Sequence, residues 1–435
     1  MAAPWMLLGR VLRVAPGPED AAAAAAADDD FSIPVALPPQ ITVVTANPNA
    51  HPDPKYPDRY PYVLAANPIG VLVNLSSEPF YGVQLSVLHP LEPHLVLLHE
   101  FHDPMEAEAE AEVGQAMLTA TAERLPPREG FLPIICNLES IGIGKGPITV
   151  TREEGMVVKT IVSELMVDTR SETARIAYWY YPDGNAWLQQ ERNYPLAAYD
   201  RHWVPSGVLL HDERLWWFDL SWGILSCEVS PEENGKLLFH PLPQGRALDE
   251  SRPGIHDHRC IAASGDALRY VEILINEEGD EEAMVAMWTA TPVLDDDGKP
   301  GLAWEMAYSV RFAEIWNDDS YVGTGLPRRV PVITAVCPWN PDLVYFTLEQ
   351  ERRLFGVDVP QHRVVEFVDE AYDLVMPWPA PPSSRYVLAW LVKQQDDDAE
   401  ATEPEEDSED DVATEDSSES EEDSADDVAT EDSFV

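Results

Sequence analysis

The sequence predicts an all-β, β-propeller-like body followed by a disordered, acidic C-terminal tail, and three observations carry that reading. Short apolar runs with period-two alternation, bounded by Pro, Gly, Asp and Asn, recur along most of the 435 residues. The 39 prolines, about 9% of the chain, exceed the usual share of about 5%; proline is excluded from helix interiors and central strands, so such a chain is cut into short elements. Beyond Lys393 the aromatic and large apolar residues all but vanish, and a segment of that kind cannot bury enough surface to offset the entropy of ordering. The body is therefore assigned to residues 1–393 and the tail to residues 394–435.

Taken in order, an opening strand at Leu7 to Val14 precedes a low-complexity insertion, Ala21 to Ala27 followed by Asp28 to Asp30. Tyr62 to Leu75 reads as strand, and a second insertion, Glu106 to Glu112, alternates Glu and Ala. The Ala/Glu/Met composition of Met105 to Arg124, stopped by Pro126-Pro127, predicts a helix. Strands follow at Ile148 to Val150, Val157 to Val167, Arg175 to Tyr181 and Val208 to Leu210. The clearest is Arg214 to Ser221, with Trp216, Phe218, Leu220 and Trp222 on one face and Trp217, Asp219 and Ser221 on the other. After Gly223 the apolar phase shifts to Leu225, Cys227 and Val229, which predicts a hairpin with a turn or bulge at the glycine.

Further strands are expected at Leu268 to Ile275, Ala283 to Thr289, Trp304 to Phe312, Val330 to Val336 and Leu343 to Leu348, with a helical turn near Ala313 to Asp318. At about 40–50 residues per four-stranded blade, the body has room for about seven or eight blades by length alone, fewer if the insertions lie outside them. The terminal strands Trp5 to Val14 and Arg385 to Val392 are expected to pair and shut the ring, because an all-β chain of this length otherwise exposes strand edges.

The formal charge is −50; once the 21 acids of Asp396 to Val435 are set aside, the rest of the chain still stands at −29. A body so acidic supplies no basic footprint for nucleic acid or an anionic membrane surface, and neither is expected as a partner. No run of 18 apolar residues predicts a membrane span. The apolar patch of Met1 to Val14, interrupted by Arg10 and Arg13, is too short for a secretory signal. The four cysteines, Cys136, Cys227, Cys260 and Cys337, are widely spaced and are expected to be reduced, buried thiols. These features predict an intracellular protein, in the cytoplasm or nucleus.

Within the tail, Asp407 to Ser417 recurs with one change at Asp423 to Ser433. Ser408, Ser418, Ser420 and Ser424 each have an acid three residues on, a spacing similar to that of acidophilic casein-kinase-two substrates, and are candidate phosphorylation sites beside the simpler reading of a solubilising tail.

The segment 214–365 resembles the plant family, expanded in grasses, known as domain of unknown function 1618. The resemblance rests on the run from Arg214-Leu215-Trp216-Trp217-Phe218-Asp219-Leu220 through Trp222-Gly223 to Cys227, then on Arg259-Cys260, Leu268 to Ile273 and Met287-Trp288-Thr289. It continues through Glu314-Ile315-Trp316, Gly325-Leu326-Pro327, Asn340-Pro341-Asp342 and Leu354 to Asp358, and ends on Ser384 to Trp390. Trp5 to Leu8 and Val63 to Gly70 carry it more weakly into the first half, while the Glu/Ala insertion and Ser140 to Pro147 depart from it. It implies a propeller of the kelch or F-box-associated kind, with an F-box ahead of the repeats in some relatives and none recognised here. It supplies no catalytic residues and no cofactor.

Four constellations carry side chains of catalytic or ligand-binding type. His256, Asp257, His258 and Cys260 hold zinc-type donors, but a closed site needs four converging ligands, and in an extended segment His256 and His258 point apart; a surface loop is expected. His99 and His102, beside Glu100 and Asp103, lack the spacing of a metalloprotease helix. Gly142, Gly144, Lys145 and Gly146 resemble a phosphate loop, but Gly146-Pro147 replaces the hydroxyl residue, and a flexible turn is expected. Asp219 with Glu228, or Asp318 with Asp319, offer paired carboxylates, which catalyse only when burial separates their pKa values. The aromatic stripe of Trp216, Phe218 and Trp222 is read as core. The expectation is thus a non-enzymatic interaction scaffold with a protein partner and no cofactor or metal; the alternative is an enzyme or small-ligand-binding propeller with carboxylates lining its central channel.

Overall fold

The computed structural model describes residues 5–14, 31–46, 61–75, 95–102, 117–126, 138–151, 155–167, 172–228, 236–275, 282–294, 298, 300–372, 374 and 387–392. The chain divides into two units, Met1–Gln395 and Asp396–Val435, and every described residue belongs to the first.

The described strands form six hydrogen-bonded sheets. Four are antiparallel four-stranded blades in chain order: Ile141–Thr151 to Leu188–Asn193, Gly207–His211 to Leu238–Pro241, Arg259–Ser264 to Pro300–Arg311, and Val332–Val336 to Arg363–Phe367. The seven-stranded sheet joins a similar blade, Tyr62–Asn67 to Met117–Arg124, to a short ladder of Arg13–Val14, Thr45–Ala46 and Phe31–Pro34 through only the pairs Ile33↔Leu118 and Pro34↔Met117. The last sheet sets Val387–Leu391 beside Trp5–Gly9 and Ile41–Thr42. Counting the ladder separately, seven sheet units build the β-propeller, and six of them send a strand to its axis. Those inner strands, Val387–Leu391 in the first blade (the terminal-strand sheet), Tyr62–Asn67 in the second, Ile141–Thr151 in the third, Gly207–His211 in the fourth, Arg259–Ser264 in the fifth and Val332–Val336 in the sixth, pack neighbour against neighbour around a closed ring.

The closure expected of the terminal strands is present. Trp5–Gly9 pairs antiparallel with Val387–Leu391, Trp5 opposite Leu391 and Gly9 opposite Val387. Trp390, fully buried, packs edge-to-face on Phe101, with ring centroids 4.9 Å apart. Its indole donates to the Asn67 carbonyl of the next blade at 3.2 Å.

Stacked blades bury both faces of a middle strand, and this explains the sequence around Arg214–Asp219. Trp216 and Trp217 point to opposite faces, yet both are buried, one in the cluster toward the fifth blade and the other in that toward the third. The turn Leu220-Ser221-Trp222 closes the predicted hairpin onto Gly223–Glu228. A Cβ at Gly223 would stand 2.6 Å from the His240 carbonyl, so backbone approach requires the glycine here.

The seams between blades carry their own hydrogen bonds. Asn67 Nδ2 donates to the Ile143 carbonyl at 2.8 Å, Trp217 Nε1 to that of Ser140 at 2.7 Å, Trp304 Nε1 to that of Pro241 at 2.9 Å, and Ser264 Oγ to that of Cys337 at 2.6 Å. Across the remaining seam Trp5 meets Tyr345 edge-on at 5.3 Å.

One element is corrected. The helix expected over Met105 to Arg124 is not formed in its described part: Met117–Arg124 is a strand paired with Leu95–His102. The ladder of the neighbouring strand overrides the helical propensity of this Ala/Glu/Met stretch. Both low-complexity insertions lie outside the described residues. The turn near Ala313 is the helix Phe312–Asn317, followed by Asp319–Thr324. No helix among the described residues is long and apolar enough to cross a membrane.

If terminal-strand pairing holds the ring, Trp390→Ala removes a filled core position and an inter-blade hydrogen bond. It should lower unfolding stability by about 3–5 kcal/mol, read from urea titration monitored by tryptophan fluorescence; a loss below about 1 kcal/mol would separate closure from stability.

Candidate functional site

The six inner strands surround a cavity of about 250 Å³ on the axis. Its polar residues Glu139, Ser206, His256 and Arg259 sit at or just before the first residues of inner strands, and Arg10 reaches the Val63 and Leu64 carbonyls near the start of another, so they gather toward one end. Toward the other end the wall is Pro68, Ile143, Leu210, Ala263, Val336 and Leu391, with Asn67 between them.

Two arginines dominate the polar end, and each is engaged by protein. Arg10, 6% exposed, donates from Nε to the Val63 carbonyl at 3.1 Å and from Nη2 to that of Leu64 at 3.2 Å, with Nη1 3.4 Å from the Glu139 carboxylate. Its guanidinium also lies 4.7 Å from the Tyr62 ring centre. Arg259 donates through Nη1 to the carbonyls of Leu220 and Arg246, both at 2.9 Å, and through Nη2 to Glu272 at 2.7 Å. Glu272, itself buried, accepts a further bond from the Tyr270 hydroxyl at 3.0 Å and lies 3.7 Å from Arg246. Buried charges of this kind persist only when paired and fully hydrogen-bonded. The Arg259–Glu272 pair lies within one blade, while the bonds from Arg259 to the Leu220 carbonyl and from Arg10 to Val63, Leu64 and Glu139 run between blades, so the two guanidiniums fasten the ring.

The His256–Cys260 segment is not the extended surface loop expected. Ile255–His258 forms a single helical turn and Arg259 opens an inner strand, bringing His256 and Cys260 to the cavity wall. Burial pushes the Cys260 thiol up to about 12, away from the thiolate that a zinc ligand or nucleophile requires, and holds His258 below the ordinary imidazole range as a neutral ring. Among the described residues no group of three or more His, Cys, Asp or Glu is arranged to hold a metal. The three described cysteines, Cys227, Cys260 and Cys337, are free thiols, each raised by burial.

Gly142 to Gly146 is also corrected. It is no flexible turn but part of the inner strand Ile141–Thr151, paired residue by residue with 159–163. A Cβ at Gly142 would lie 2.9 Å from a methyl of Val208, so glycine here allows the next blade's inner strand to approach.

Neither candidate carboxylate pair is set for acid–base work. Asp219 and Glu228 stand at opposite ends of their hairpin, opposite Gly223 and Arg214 respectively. Asp219, fully buried, accepts from the amides of Val204 at 3.0 Å and Ser221 at 2.8 Å and from the Ser221 hydroxyl, while Arg201 holds that hydroxyl at 2.6 Å and stacks on Trp222 at 4.6 Å. This is a turn-locking aspartate. Glu228 pairs with Arg214. Asp318 caps the helix Asp319–Thr324 through the Ser320 amide at 2.9 Å, and its carboxyl is held low first by the Ser320 hydroxyl. The carboxyl that burial pushes up is Glu366, on an outer strand, where the Tyr345 hydroxyl donates to it at 2.7 Å.

His99, buried, has its imidazole lowered by burial and lies 4.5 Å from the Tyr181 ring. The side chain of His102 and all of Asp103 lie outside the described residues, as do Ser408, Ser418, Ser420 and Ser424. A pair the sequence reading missed is Ser226 and His240, hydrogen-bonded at 2.8 Å inside the fourth blade. Both are buried, and burial lowers His240 to about 4. Strand register brought them together, and no local motif announces it.

Residues 217–345 match the family described as "Protein of unknown function (DUF1618)". This segment is a DUF1618 domain. It begins on Trp217 in the fourth blade and ends on Tyr345 in the sixth, so the domain supplies the Asp219 turn and the Arg259–Glu272 pair. No curated protein matches the chain. The crystal structure of Citrobacter koseri AztD aligns with 75% of this chain and 96% of that one at 9% identity, with a TM-score of 0.24, a likeness too slight to carry an argument.

Two outcomes follow for this region. Arg259→Met leaves buried Glu272 with only the more distant Arg246 and should cost about 3–5 kcal/mol in urea unfolding, partly recovered when Glu272→Gln is added; equal stability of both variants and the parent would contradict the fastening role. His240, neutral in the fold, contributes stability that is complete above its ordinary pKa of 6.5 and is lost as the pH falls toward 4. The loss should reach about 3 kcal/mol relative to His240→Gln, seen as converging urea midpoints of the two proteins between pH 6.5 and 4.

Proposed function

We propose that this DUF1618 β-propeller is a non-enzymatic scaffold for a protein partner. The observation that supports this best is the hairpin of the fifth blade. Met284–Leu294 and Pro300–Arg311 run 11 and 12 residues, against 6 and 8 for the two strands inside them, so the hairpin outreaches its own sheet. It presents Val293, Leu294 and Met306, which are 40, 73 and 53% exposed. Pro300–Arg311 is also the outer edge of the blade, with backbone groups of one side unpaired by any described strand. Exposed apolar residues beside an open strand edge suit an extended segment of another protein.

The competing reading, a catalytic channel lined by carboxylates, is disfavoured by the axis itself. The carboxylates nearest it, Glu139 and Glu272, are each held by an arginine, and the raised carboxyl of Glu366 lies on an outer strand.

Leu294→Asp and Met306→Asp, both at exposed positions, should leave the melting temperature within a few degrees of the parent. Each should reduce recovery of a co-purifying partner at least tenfold, with cross-links from that partner mapping to 284–311. A partner retained undiminished by both variants would remove the hairpin from the interface.

A further inference from the structure

We propose that the outer strand of the fifth blade, Pro300–Arg311, takes up an extended basic segment of the partner as an additional strand, with apolar side chains of that segment on one face and lysine or arginine on the other. The inference rests on the scaffold reading and supplies the chemistry of the partner.

Every four-stranded blade has an outer edge, but this one stands apart in length. Among the described residues the outer strands of the third, fourth and sixth blades, Leu188–Asn193, Leu238–Pro241 and Arg363–Phe367, run 6, 4 and 5 residues, against 12 here. Short edge strands are one way in which folded proteins keep unpaired backbone groups from recruiting another chain, and Pro300–Arg311 does without that protection.

The register of the hairpin fixes the side chains that an added strand meets. Trp288, Ala290 and Leu294 stand opposite Met306, Trp304 and Pro300, and residues opposite each other in an antiparallel pair share a face. One face of the edge is therefore Pro300, Leu302, Trp304 and Met306, with Leu294 beside them. Leu302 and Trp304 pack on the cluster between the fourth and fifth blades and stay half-buried, while Leu294 and Met306 are exposed. The other face carries Gly301, Ala303 and Glu305, with Val293 opposite Gly301. The pairing skips Ala307, so the regular ladder runs from Pro300 to Met306 and a bulge ends it. A strand laid along this stretch alternates between an apolar face and a face that holds a carboxylate.

Charge selects among possible occupants. Glu282 and Glu305 are exposed, and Arg311 is held by Glu314 at 3.2 Å. In sequence, residues 276–311 hold nine acids against Lys299 and Arg311. A second copy would bring two such hairpins together on chains of formal charge −50 each, opposed by like charge. A segment bearing lysine or arginine is drawn to the same surface. In strand addition the backbone bonds give affinity and the alternate side chains give selectivity.

The test uses the full chain and fluorescently labelled, end-capped heptapeptides in which valine alternates with lysine or with glutamate. The lysine peptide should bind saturably, one per chain, and about tenfold more tightly than the glutamate peptide, as a few cross-strand contacts of opposite sign imply. N-methylation of its alternate residues should cost about tenfold on the edge that pairs and less on the edge that faces solvent. Bound peptide should slow hydrogen exchange of amides within 300–306, read by mass spectrometry. Glu305→Lys, at an exposed position, should reverse the preference in favour of the glutamate peptide while circular dichroism stays that of the parent. If that variant fails to fold, the exchange measurement on parent protein still decides. Absence of saturable binding, equal affinity for the two peptides, protection confined to residues outside 284–311, or self-association that protects 300–306 without peptide would overturn the proposal. Loss of a natural partner in both Leu294→Asp and Met306→Asp, with no peptide protection at 300–306, would overturn strand addition and leave the scaffold reading standing.

Discussion

Closure of the ring is the constraint on which the rest of the structure depends. Trp5–Gly9 lies against Val387–Leu391, and this pairing of residues nearly four hundred positions apart turns an open row of blades into a cycle. Without it the blade edges at the two ends of the row would stay exposed, with unpaired backbone groups and unburied apolar faces. With it every inner strand has a neighbour on both sides, and Leu7, Leu8 and Trp390 become fully buried. The axial cavity, the buried arginines and the packing of Trp216 and Trp217 on opposite faces all presuppose that closed arrangement.

Once the blades are cyclic, their seams need fastening, and the chain uses polar groups for it. Indole donors on Trp217, Trp304 and Trp390, the amide of Asn67 and the guanidiniums of Arg10 and Arg259 each reach a carbonyl in an adjoining blade. Such bonds specify which blade sits beside which, a task that non-directional apolar contact performs poorly. They also consume the ionisable groups nearest the axis, and this is why an acidic protein has a channel wall without free carboxylate pairs among the described residues.

Much of the fold was legible in the sequence. The alternation in Arg214 to Ser221, the phase change after Gly223, the many short strands and the pairing of the terminal segments were all readable, because strand periodicity and turn residues are local signals. The segment Met117–Arg124 was misread: its composition favours helix in isolation, and pairing with Leu95–His102 decides otherwise. Gly142 to Gly146 was misread for a related reason, since a glycine that makes room for Val208 looks in sequence like one that bends a loop. The site was scarcely legible. Arg10 and Glu139, or Ser226 and His240, meet through strand register, and nothing in their sequence neighbourhoods announces the encounter.

By itself the sequence determined the class of fold, the position of its clearest hairpin, the segment that matches DUF1618 and the acidic character of the whole, because each depends on composition or on residues a few positions apart. Only the tertiary structure decided which charges are paired, which histidines and cysteines are buried and neutral, and where the open space lies. Those properties depend on distances between residues far apart in the chain, set when the blades stack and the ring closes.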